Sequence, residues 1–66
     1  MKENSWEFVR EADGTYSVFH KDERLSSGIR EEYLEREVCV RYGFCGQEFR
    51  EIMTVLKGSG RYRVVL

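Results

Sequence analysis

One stretch limits what this chain can become. From Gly46 to Lys57 it reads GQEFREIMTVLK, with apolar residues at Phe49, Ile52, Met53 and Leu56. Steps of i, i+3, i+4 and i+7 put all four side chains on one face of a helix. Glu48 and Glu51 stand early and Lys57 late, the order the helix macrodipole favours. A helix with one apolar stripe has to bury it, so the rest of the chain must supply the surface it packs on.

Sixty-six residues leave room for a single domain spanning 1–66. A chain of this size buries only about 60% of the surface its unfolded form exposes. It has no cleft between domains of the kind many enzymes use. Eleven basic residues against twelve acidic ones give a net charge of −1. That balance supplies no field to hold a polyanion and little repulsion between copies. No apolar run is long enough to span a membrane, and the opening MKENSWEF lacks the apolar centre of a signal peptide. A cytoplasmic protein is therefore expected. Cys39 and Cys45 are too few for a disulfide framework and read as free thiols.

A β-hairpin precedes the helices. WEFVRE (6–11) and YSVFH (16–20) flank Ala12-Asp13-Gly14-Thr15. Asp-Gly favours a two-residue type I′ turn, which pairs Ala12 with Thr15, Val9 with Val18 and Phe8 with Phe19. Trp6, Phe8 and Phe19 then share one face, assigned to the core for its aromatic load. Val9, Val18 and Tyr16 share the other. Lys21 to Gly28, KDERLSSG, reads as a charged connector in which Leu25 tucks inward and Ser26 or Ser27 caps the next helix.

Ile29 to Tyr42, IREEYLEREVCVRY, is rich in helix formers and meets no breaker before Gly43. It is read as one helix with two apolar stripes, Ile29/Tyr33/Val40 and Leu34/Val38/Tyr42. The competing reading takes residues 37–42 as a strand, because Val38, Val40 and Tyr42 alternate with polar neighbours. Tyr42-Gly43-Phe44-Cys45-Gly46 makes a tight corner, with Gly43 just past a helix end. Gly58-Ser59-Gly60 ends the second helix, and Arg61 to Leu66 forms a strand. The expected fold class is α+β in the order ββααβ, a small three-stranded sheet packed on helices. The alternative order is ββαβαβ.

No constellation in the chain carries recognisable catalytic chemistry, and no enzyme, cofactor or metal is expected. His20 is the only histidine. A zinc site would need it beside both cysteines and a carboxylate, and the Cys-x5-Cys spacing matches no standard knuckle. Glu31, Glu32, Glu35, Glu48 and Glu51 read as solubilising helix faces, since a general acid needs burial to raise its pKa. The helix–corner–helix has the general shape of a helix-turn-helix. A nucleic-acid reading would use Arg41, Gln47, Arg50, Arg61 and Arg63, but the net charge does not favour it. The leading expectation is a protein-interaction module, self-associating or binding another protein through a sheet edge or the face carrying Val9, Tyr16 and Val18, with Tyr62 and Val64 of the last strand. Unpaired strand edges and exposed apolar patches are the features that recruit partner chains.

Overall fold

The computed structural model of the chain describes residues 4–66. It is an α+β fold of two layers, with a four-stranded antiparallel sheet carrying helices on one face. The strands are β1 (Ser5–Arg10), β2 (Tyr16–His20), β3 (Glu23–Ile29) and β4 (Arg61–Val65), in the spatial order β3-β2-β1-β4. Between β3 and β4 lie α1 (Glu31–Glu35), its π-helical continuation (Arg36–Arg41) and α2 (Gly46–Ser59).

The sheet has one strand more than expected. The polar stretch read as a connector is β3, which pairs with β2 through Tyr16↔Ile29, Val18↔Ser26, Phe19↔Arg24 and His20↔Glu23. Lys21 and Asp22 join the strands, and both have positive φ, 52° and 66°. Two positive values are the type I′ signature. That turn geometry therefore occurs at Lys21-Asp22 and not at Asp13-Gly14. Leu25 does not tuck inward, being 40% exposed. Neither Ser26 nor Ser27 caps α1, whose N-cap is Arg30 with no side-chain hydrogen bond.

The first hairpin closes one residue earlier than a two-residue turn would allow. Glu11 N–H donates to Thr15 O at 2.8 Å, and Gly14 N–H donates to Glu11 O at 3.0 Å. This is a three-residue loop, a tight turn followed by a left-handed Gly14 with φ 88°. Asp13 Oδ1 fixes the turn by accepting from Thr15 N–H at 3.0 Å and Thr15 Oγ1 at 2.7 Å. Phe8 consequently pairs with Val18, Val9 with Ser17 and Arg10 with Tyr16.

A one-residue slip exchanges the faces of a strand. Tyr16 and Val18 therefore join Phe8 in the core, 2% and 0% exposed, and Phe19 turns to the opposite face. That arrangement puts two large apolar side chains of β2 into the core where the expected register would put Phe19 alone; Ser17 is buried as well, on the other face. The expected exposed face of Val9, Val18 and Tyr16 does not exist.

Leu34 and Val38 carry the first helical segment into the core, and Ile52 and Leu56 carry α2. The other stripe is not a core face, with Tyr33 57% and Val40 76% exposed. Residues 37–42 form no strand. Tyr42 N–H donates five residues back to Glu37 O at 3.2 Å, the wide spacing of a π-turn. A four-residue step overshoots one α-turn and falls short of a π-turn. The change of geometry thus keeps Leu34, Val38 and Tyr42 pointing at the sheet. α2 begins with a capping box in which Cys45 Sγ accepts from Glu48 N–H and Glu48 Oε1 accepts from Cys45 N–H at 2.8 Å.

Candidate functional site

Two features of one side of the molecule can receive another group: the free edge of β4 and the hollows beneath it. β4 lies at the end of the sheet, against β1 only. Arg10 N–H donates to Gly60 O at 2.8 Å, and Leu66 N–H to Asn4 O at 2.9 Å. Counting by twos in the unbroken register between them, Phe8/Tyr62 and Trp6/Val64 are the other hydrogen-bonded pairs. The backbone N–H and C=O groups of Arg61, Arg63 and Val65 therefore point away from β1; the Arg61 carbonyl accepts from Ser59 Oγ at 3.1 Å, and the groups of Arg63 and Val65 face solvent. The opposite edge, β3, has two irregularities in its register with β2. Bulges of that sort spoil an edge as a template, and β4 has none.

Tyr62 and Val64 lie opposite Phe8 and Trp6, on the core face. Both are half-buried and floor a hollow of about 150 Å³ between β4 and α2, which Phe44 and Ile52 close and Glu48 and Glu51 rim. Phe44 and Glu48 also border a larger hollow of about 300 Å³, lined by Trp6, His20 and Tyr42. There Trp6 meets Phe44 edge to face at 5.2 Å between ring centroids, and Tyr42 at 5.5 Å with the planes tilted by 54°.

Trp6 and Tyr42 are held by polar neighbours. His20 stacks on Trp6 at 4.1 Å, and its Nε2 is 2.7 Å from Asn4 Oδ1. The Tyr42 hydroxyl is hydrogen-bonded to Ser26, which also donates to Glu37 Oε2 at 3.0 Å. Gly43, left-handed at φ 83°, reverses the chain so that Tyr42 and Phe44 converge. The Cys45 N–H and thiol hold the Glu48 carboxyl below its ordinary range, so it is an anion at neutral pH.

The other residues singled out from the sequence are dispersed. Val9 is half-buried on the outer sheet face. On that face Ser17 donates to Glu11 at 2.6 Å, Arg61 pairs with Glu7 at 3.1 Å and Arg24 lies 5.4 Å from the Phe19 ring. Arg63 lies there too, without an ion-pair partner among the described residues. Arg41 bonds Glu37 at 3.0 Å, and Gln47 and Arg50 are exposed on α2. The five residues of the nucleic-acid reading thus divide between the helices and the outer sheet face, and form no single patch.

Among the described residues no three His, Cys, Asp or Glu side chains gather at metal-binding distance, and no helix is long and apolar enough to cross a membrane. Cys39 is half-buried, its thiol pushed up by burial and then by Glu35. The hollow itself joins aromatics up to 38 positions apart in the chain; the local signal was Tyr42-Gly43-Phe44, two aromatics on either side of a reversing glycine. Comparison of the chain with protein-family models, curated protein sequences and solved structures returned no match.

Proposed function

We propose that this protein is an interaction module that takes an extended segment of another protein onto the free edge of β4. The observation that supports this reading most is the coincidence of an unbulged edge with an apolar hollow under it. The outward backbone groups of Arg63 and Val65, with the Arg61 N–H, supply strand pairing. Tyr62, Val64, Phe44 and Ile52 supply a surface for every second side chain of the incoming strand. This is the physics of strand addition, in which main-chain bonds give affinity and alternate pockets give selectivity.

Charge selects the occupant. The rim of the hollow carries Glu48 and Glu51, and the outer face beside the edge carries Arg63. A complementary segment has apolar and basic residues toward the hollow and an acidic residue on the other side. A second copy of this chain fits worse. Antiparallel self-pairing with full overlap of β4 sets Arg63 against Arg63 and brings each acidic rim toward its own copy, and like charges placed opposite destabilise a pair.

The test is titration of the protein with the peptide Lys-Thr-Val-Glu-Val-Thr-Lys, followed through backbone amide NMR shifts. Shifts centred on Arg61, Arg63 and Val65 are expected. They should vanish in Arg63→Pro, which removes an outward N–H while leaving the β1 ladder whole. Shifts that survive this substitution would reject the edge as the docking site. Light scattering over a concentration series should show a monomer, and a dimer would replace the hetero-partner with a second copy.

A further inference from the structure

The larger hollow has a chemistry of its own, which strand addition does not require. Its volume, about 300 Å³, is at the lower end of small-molecule sites. Three aromatic rings of different orientation border it, one of them Trp6, and indole is the best of the aromatic faces for a cation. Trp6 and Tyr42 are only half-buried, so ring surface remains open to the hollow. Among the described residues Glu48 is the one acidic residue in its lining and no lysine or arginine lines it, although the Arg41 guanidinium lies 5.8 Å from the Tyr42 ring centre. The positive end of α2 is nearby, but Glu48 and Cys45 already cap it.

We propose that this hollow binds an alkylated ammonium group, with its positive charge against the faces of Trp6 and Tyr42 and facing the Glu48 carboxylate. Alkylation matters because a bare ammonium is strongly hydrated. One carboxylate and ring faces do not replace that hydration shell, and charges taken from water without full compensation are unfavourable. A quaternary ammonium has no N–H to satisfy and presents methyl groups to the rings, so it loses little on entering. The rings are positioned in advance: Tyr42 through its hydroxyl and Ser26, Trp6 through the stacked His20. Preorganisation of that kind lowers the ordering cost of binding. The same chemistry is offered by a trimethylated lysine side chain or by a free choline-like molecule.

Trp6 is the only tryptophan, so its fluorescence reports on the hollow directly. The probes are choline, its neutral isostere 3,3-dimethylbutan-1-ol, and N-acetyl-trimethyl-lysine amide. A saturable change with choline is expected, with the alcohol about tenfold weaker. A lysine derivative several-fold tighter than choline would identify a side chain as the natural source, and the reverse order a free small molecule. Equal responses to choline and the alcohol would mean an apolar hollow without cation selectivity and overturn the proposal, as would the absence of saturation. Glu48→Gln keeps a side chain able to complete the capping box and should weaken choline several-fold; unchanged affinity would remove the carboxylate from the site. Arg63→Pro should leave the choline response intact, which separates failure here from failure of the strand-addition reading.

Discussion

Val9 and Val18 are the same residue type on adjacent central strands, and the same substitution should affect them very differently. Val18 is fully buried among Phe8, Leu34 and the other core residues, whereas Val9 lies on the outer face opposite Ser17. Threonine matches valine in shape and keeps its β-branch, so Val→Thr tests for a hydroxyl and little else. At position 18 that hydroxyl enters an apolar core. β2 is flanked by β1 and β3, so its carbonyls already serve the ladders on both sides. Burying an unpaired hydroxyl costs about 1–3 kcal/mol by protein mutational data. A domain of this length has a total stability of roughly 3–10 kcal/mol, so the loss is a large share of it. Each kcal/mol moves the midpoint by about 4–8 °C in so small a domain, and Val18→Thr should melt roughly 5–20 °C below the parent. Val9→Thr should stay within about 0.5 kcal/mol, the range of surface substitutions. Thermal unfolding followed by circular dichroism reads both. Equal losses, or a larger loss at Val9, would refute this register, because they require Val9 to be at least as buried as Val18.

Two further predictions concern backbone termini and turns. Asp22→Gly should raise stability by about 0.5–1 kcal/mol in urea unfolding, because glycine relieves a left-handed residue at a smaller entropic cost. A loss would place Asp22 in an interaction that outweighs its strained φ. Cys45→Ser should stabilise by up to about 1 kcal/mol, since serine is a preferred N-cap and cysteine is not; a neutral result in the same assay would show that the thiol–amide contact at 3.5 Å serves as well as a hydroxyl.

The parts of the fold that could be read from the sequence are those whose side-chain pattern and burial agree. α2 was legible because Phe49, Ile52, Met53 and Leu56 make one stripe, and all four are buried or half-buried in the core. β4 was legible from its β-branched residues and the glycine-rich break before it. β3 was not. It is an edge strand whose side chains are mostly exposed, so neither alternation nor hydrophobicity marks it, and backbone pairing to β2 holds it in place. The hairpin register failed for a different reason. Asp13-Gly14 suits a two-residue turn and also the end of a three-residue one, and only the burial of Tyr16 with Val18 against that of Phe19 decides between them. The π-turn left a pattern that could be read as helix or strand, because its periodicity matches neither cleanly. The aromatic hollow depends on all of these, since Trp6 and Tyr42 meet only once the sheet and the π-turn are in place.

Under the strand-addition proposal, the contrast between the two edges of the sheet also limits how many neighbours one molecule would have. Growth into a filament needs two competent edges on each unit, so that every added copy offers a fresh end. Here β4 is open and β3 is bulged. An occupant of β4 therefore meets a molecule with no second site to pass on. In the strand-addition proposal the protein therefore has a valence of one, and assembly through the sheet would end at a single bound partner.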